Sequence, residues 1–217
     1  MNGVFREDVV IYEEFKKILQ SGIYEQYILE LMNSSKYLFP NSYKHISSQS
    51  KGECDFVDEK TSRKYDAKLA LSQEQCRLIC SRQGDLEKWI MSLWKELEEF
   101  YHEVMVKGVE KDISGLTLYK IMYEEIARDK TDENIIFFIP FTIIKESSSM
   151  VFQRFGYDIL TAIYDEIKKT GVLLERKIYV LYFGIENEVV FRCLNNNKRE
   201  YFSNTIFSNL IKYHISV

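Results

Sequence analysis

Two runs of alternating residues, Glu53 to Asp58 and Arg63 to Leu69, flank the polar tetrapeptide Glu59-Lys60-Thr61-Ser62. Strand side chains point to opposite faces in turn, so a short polar spacer between two such runs predicts a hairpin. With the turn centred on Lys60-Thr61, Asp58 pairs with Arg63 and Asp55 lies opposite Asp66. Glu53 then lies opposite Lys68. One face collects Cys54, Phe56, Tyr65, Ala67 and Leu69, and is expected to be buried. The other collects Glu53, Asp55, Val57, Lys64, Asp66 and Lys68.

Like charges directly opposite one another on a sheet are destabilising. A pair such as Asp55 and Asp66 is relieved by a cation between the carboxylates, whose oxygens suit Mg²⁺ or Mn²⁺. Lys68 is placed to orient an attacking water or to offset charge developing on a phosphate. The competing reading of the same residues is a solvent-facing hairpin of mixed charge.

The rest of the chain reads as strands interleaved with helices. A helical stretch from Asp8 to Asn33 breaks near Ser21-Gly22, and Ile28, Leu29, Leu31 and Met32 form its apolar stripe. A short strand is expected from Tyr43 to Ser47. Helical character runs from Ser72 to Val106, interrupted at Gly84-Asp85, and again from Leu116 to Arg128. A buried strand at Ile135 to Ile144 precedes a helix from Ser149 to Lys169 that Gly171 closes. A second hairpin pairs Lys177 to Phe183 with Glu188 to Leu194, and the tail from Ser203 to His214 reads as a short helix. This order predicts an α/β or α+β fold, a mixed central sheet flanked by helices.

Composition narrows the class. The 217 residues are 46% hydrophobic with only two prolines and no Gly/Ser-rich linker, which favours a single folded domain over residues 1–217. The net charge of −4 argues against bulk electrostatic coating of nucleic acid. The N-terminus lacks the apolar core of a secretory signal. The run Ile135 to Ile144 falls well short of the roughly 20 residues a bilayer span needs, and Pro140 interrupts it. No membrane association is therefore expected. Cys54, Cys76, Cys80 and Cys193 form no CxxC pair. Cys76 and Cys80 have i, i+4 spacing, either half a metal site or buried free thiols. The usage fits a reducing cytoplasm. There is no GxSxG, no P-loop and no GxGxxG opening a helix after a strand.

Gly52-Glu53-Cys54-Asp55-Phe56-Val57 followed by Asp66-Ala67-Lys68 resembles the core motif of the PD-(D/E)xK nuclease superfamily, which includes restriction enzymes, Holliday-junction resolvases and defence nucleases. The resemblance covers roughly residues 22–144, and its specific part is under 20 residues. It implies a restriction-endonuclease-like core: a helix, a three-stranded meander, a helix and a fourth strand. Helices are inserted before the fourth strand, and residues 149–217 form a hairpin-bearing C-terminal elaboration that matches nothing in the family core. Cys54 stands where the family name has proline.

Carried over, Asp55 is the first metal ligand, Asp66 the acid of the triplet and Lys68 its lysine. Glu25, three residues after Gly22, best matches the glutamate that many members carry on the first helix. Glu30 is its rival, and Glu53 is a further acid close to the site. The implied activity is Mg²⁺- or Mn²⁺-dependent hydrolysis of phosphodiesters, with DNA favoured over RNA and a role in restriction or phage defence. The alternative is a catalytically silent module of this fold that acts in binding or assembly. Lys51, Lys64 and Gln75 are candidate nucleic-acid contacts, with Gln73, Lys60, Arg63, Arg77 and Arg82 nearby. His45 either assists proton transfer or is structural. A partner subunit or a homo-oligomer is compatible with a small acidic domain that has no evident DNA-reading module.

Overall fold

The computed structural model describes residues 23–46, 54–71, 92, 95–97, 99–100, 102–128, 133–139, 159–173, 175–183 and 188–203. Helix α1 (Tyr24–Ser34) forms because Tyr27, Ile28, Leu31 and Met32 recur on one face, all of them buried. It stops at Ser35, whose backbone is extended. The side chain of Asn33 then clamps the next element. Its Nδ2 donates to the Tyr43 carbonyl at 3.0 Å, and its Oδ1 accepts from the Tyr43 amide at 2.9 Å.

Strands β1 (Tyr43–His45), β2 (Phe56–Asp58) and β3 (Lys64–Leu69) form an antiparallel meander. The register is the one expected from sequence: Phe56 faces Tyr65 and Val57 faces Lys64. The Asp58 amide donates to the Arg63 carbonyl at 2.9 Å, closing the loop over residues 59–62. Asp58 also holds that loop with its carboxylate, which accepts from the amides of Lys60 and Thr61 at 2.9 and 3.1 Å. Those bonds outweigh burial and keep its pKa below the usual aspartate value.

Helix α2 (Thr117–Arg128) leads to β4 (Asn134–Phe138), which pairs parallel with β3. Helix α3 (Ile159–Lys169) crosses to β5 (Ile178–Phe183), parallel to β4. Gly171, at φ +77°, adopts the left-handed conformation that ends a helix, as the sequence indicated. Then β6 (Glu188–Cys193) and β7 (Lys198–Ser203) complete one sheet of seven strands, each beside its sequence neighbours.

The fold is therefore mixed α+β, with helices on both faces of one mixed sheet. On the α1 face, Phe56, Tyr65, Ala67, Ile136, Phe138, Tyr179 and Leu181 pack with Tyr27 and Phe39. On the other face, Ile135, Phe137, Ile178 and Val180 pack with α2 and α3. Strand β4 is buried along its whole length, as expected of a parallel strand covered on both sides. Among the described residues no helix is long and apolar enough to cross a membrane.

The C-terminal hairpin of β5 and β6 forms as expected, but the sheet continues beyond it. Residues 198–203 form a third antiparallel strand, and Ser203, expected to start a helix, ends that strand. The sequence there is Lys-Arg-Glu-Tyr-Phe-Ser, and only Glu200 and Phe202 are buried, so two-residue alternation is nearly invisible. The tail beyond Ser203 lies outside the described residues.

Glu200 explains why a polar strand belongs there. Its carboxylate accepts from the amides of Lys36 and Leu38 at 2.6 and 3.2 Å and from the Ser35 hydroxyl at 2.5 Å. These bonds offset burial and lower its pKa. A depressed acid contributes stability that is complete above its unfolded pKa and is lost as pH falls through its folded pKa. Glu200→Gln is expected to cost about 1–3 kcal/mol near neutral pH, because buried donors lose a charged acceptor. Urea denaturation checks this, and a loss under about 0.5 kcal/mol contradicts it.

Candidate active site

The ladder between β2 and β3 ends where the acidic residues begin. Strand β2 has three residues and β3 has six. Asp55 lies just before β2, and its amide donates to the Tyr65 carbonyl at 3.1 Å. Its Oδ2 accepts from the Ala67 amide at 2.7 Å. The carboxylate thus takes the place a neighbouring strand carbonyl would fill, and Asp55 is almost fully buried.

Asp66 and Lys68 sit on β3 with side chains alternating against the buried Tyr65 and Ala67. Lys68 Nζ lies 2.5 Å from Asp66 Oδ2. The Asp55 and Asp66 carboxyl groups are within hydrogen-bonding reach of each other. Burial, then a hydrogen bond that Asp66 in its acid form donates to Asp55, push the Asp66 pKa up to about 7 even though Lys68 opposes the shift. Burial works against the charged form of Lys68, but Asp66, with Asp55 and Glu125 behind it, outweighs this and raises its pKa. Lys68 stays charged, while Asp66 is held toward its neutral form.

Glu25, in the first turn of α1, meets β1. Its Oε2 lies 2.8 Å from His45 Nε2. Tyr24 has a raised pKa, caused first by burial and then by Glu25, with Asp55 and Asp66 adding to it. Helix α1 therefore brings Tyr24 into the field of both aspartates. Glu30 is half-buried on the same helix. Lys64 is exposed and pairs with Glu133 at 3.8 Å. Lys51, Glu53, Gln73, Gln75, Cys76, Arg77, Cys80 and Arg82 lie outside the described residues. Cys54 and Cys193 are buried free thiols.

The structure thus brings Asp55, Asp66 and Lys68 together as the register required. Among the described residues no hydrogen bond or ion pair joins Glu25 to them; it pairs with His45 on the α1 side of the sheet. Among the described residues, no three His, Cys, Asp or Glu side chains converge as a complete ligand set. Two carboxylates nevertheless fit Mg²⁺, which keeps several waters and commonly takes one or two carboxylates plus substrate phosphate.

Sequence reasoning missed Tyr24 and Glu125. Tyr24 resembles any aromatic on a buried helix face, and Glu125 resembles solvated surface. Only packing brings either near the triplet. Comparison of the chain with protein-family models, curated proteins and solved structures yields no match.

Proposed function

We propose that the chain is a metal-dependent nuclease, with Asp55 and Asp66 holding a divalent cation and Lys68 assisting attack on a phosphodiester. The observation that carries this reading is the meeting of two acids and a lysine where β2 begins beside β3: Asp55 Oδ2 on the Ala67 amide, and Lys68 Nζ 2.5 Å from Asp66 Oδ2. A restriction-endonuclease-like core accords with the order α1, β1–β3, α2, β4, in which helical residues 95–97 and 99–100 precede α2. DNA is the favoured substrate, and restriction or phage defence the favoured setting.

When bound, Mg²⁺ or Mn²⁺ would neutralise phosphate charge and lower the pKa of water. The chain's own residues perform the remaining tasks. Asp55 is fixed by the Ala67 amide, so one ligand is held rigidly by backbone. Asp66 changes protonation state near neutrality and gives up its proton as the cation arrives. Lys68, charged and tethered to Asp66, faces the anionic phosphate.

The second reading, a silent module for binding or assembly, draws on the engagement of Glu25 with His45 rather than with the aspartates. One assay separates the two. Purified protein is incubated with double-stranded and single-stranded DNA in Mg²⁺, Mn²⁺ or EDTA, beside Asp66→Ala. Cation-dependent cleavage that Asp66→Ala abolishes is expected. Equal cleavage by wild type and variant rules out the site. No cleavage by wild type, with Mn²⁺ still bound, favours the silent module.

A further inference from the structure

The apolar core on the α2 and α3 face of the sheet stops short of the meander. It takes in Ile135 and Phe137 of β4, Ile178 and Val180 of β5 and Val190 of β6. Among the described residues, nothing from β1, β2 or β3 joins it. On that same face the meander carries Lys44, Val57, Lys64, Asp66 and Lys68. The register requires this: Lys44 pairs with Val57, Val57 with Lys64, and Asp66 and Lys68 with Ile135 and Phe137. The Lys44 and Lys64 side chains are 64% and 53% exposed. Tyr43, Phe56 and Tyr65, the aromatic residues of these three strands, lie on the opposite face in the α1 core.

A strand face with three lysines and one aliphatic residue has little to bury against another layer of protein. Its ammonium groups are spread widely. Lys64 and Lys68 stand four residues apart on β3, roughly 13 Å, and Lys44 stands two strands from Lys64, roughly 10 Å. Each outer lysine has an acid beside it, Lys44 with Glu59 at 3.5 Å and Lys64 with Glu133 at 3.8 Å. Exposed pairs of this kind contribute under about 1 kcal/mol, so a phosphate can draw either ammonium away. With a net charge of −4 the chain has no general attraction for DNA, and a local cluster must supply it. Surfaces that hold single strands offer aromatic rings on which bases stack. The strands of this face offer charge instead. Resting on the nuclease reading above, we propose that duplex DNA docks on the open face of β1–β3. Lys44 and Lys64 hold phosphates that flank the one presented to Asp55, Asp66 and Lys68, whatever the base sequence.

The test is binding of a short fluorescein-labelled DNA duplex to the whole chain, followed by fluorescence anisotropy in EDTA and again in Ca²⁺. Lys44→Ala and Lys64→Ala are each expected to weaken binding by about fivefold near 0.1 M salt, and to make the slope of log affinity against log salt shallower by about 1. The double variant is expected to lose about the product of the single losses, because the two positions share no partner. Duplexes of unrelated sequence should show the same losses. Lys44→Arg and Lys64→Arg, which keep the charge, are expected to stay within about twofold of wild type. Lys198→Ala, on β7 at the far edge of the sheet, is expected to leave affinity unchanged. Both replaced side chains are exposed, so thermal melts of the variants should match wild type.

Cleavage by the same proteins separates the two claims. If Asp66→Ala abolishes cation-dependent cleavage while Lys44→Ala and Lys64→Ala bind and cleave as wild type does, DNA docks elsewhere and the nuclease reading stands. If the lysine variants lose affinity but wild type cleaves nothing in Mg²⁺ or Mn²⁺, the docking surface stands and the nuclease reading falls. If Lys198→Ala loses as much as Lys64→Ala, the attraction is one of overall charge, and the inference falls. It falls as well if single-stranded DNA binds far tighter than duplex, since bases are then being held. Wild type that binds no duplex at micromolar concentration, in EDTA or in Ca²⁺, also overturns it.

Discussion

Lys68→Ala is expected to slow DNA cleavage by roughly a thousandfold while leaving the divalent cation bound. Lys68 Nζ sits 2.5 Å from Asp66 Oδ2, and its side chain is 30% exposed, so it is anchored at the site and still open to substrate. A charged group that meets a phosphate mainly as negative charge builds up there lowers the barrier without contributing much to ground-state binding. Stability should change little, by under about 1 kcal/mol, because partly exposed ion pairs contribute that much or less. Mn²⁺ affinity should be unchanged or tighter, since a cation has left a site that attracts cations. Single-turnover cleavage beside Mn²⁺ titration checks both halves. Full cleavage by Lys68→Ala removes the lysine from the mechanism. Loss of Mn²⁺ binding in the same variant makes its role structural.

The second large effect is a dependence of stability on pH that divalent cation erases. The pKa of Asp66 lies at about 7 in the folded chain against an ordinary 3.8. Between those values the folded state holds a proton that the unfolded state has lost, so stability falls as pH rises. The contribution is complete below the ordinary aspartate value and is gone above about pH 7. Its size is on the order of 4 kcal/mol at most. On the nuclease reading a divalent cation takes the place of the Asp66 proton, so the fall is expected to flatten when Mg²⁺ or Mn²⁺ is present. Below pH 7 apparent cation affinity should drop by about tenfold per pH unit, because one proton must leave. Urea denaturation from pH 4.5 to 8.5, with and without Mn²⁺, measures the first effect, and calorimetry measures the second. Asp66→Asn should flatten the ion-free profile over the same range. A profile in Asp66→Asn as steep as in wild type assigns the pH dependence to another group.

Particular elements show why some of this was legible in the sequence. The hairpin register was fully readable. A four-residue polar loop and two alternating runs leave one register that buries Phe56, Tyr65 and Ala67 together, and a one-residue slip would expose all three. Helices α2 and α3 were readable because three- and four-residue spacing of apolar side chains is a local property. Strand β7 was not, because its burial depends on Glu200 meeting the amides of residues 36–38, more than 160 positions away.

The site divides along the same line. Pairing across one turn is a short-range matter of pleat and polarity, so the sequence alone placed Asp55 against Asp66 with Lys68 beside them. The fold decided everything that needs a third element. The early end of the β2–β3 ladder lets the Asp55 carboxylate cap the Ala67 amide, and burial of β3 beside β4 holds a proton on Asp66. The docking of α1 on β1 turns Glu25 toward His45. Burial and long-range contact set the charge state of a carboxylate, and neither is written in the spacing of residues along the chain.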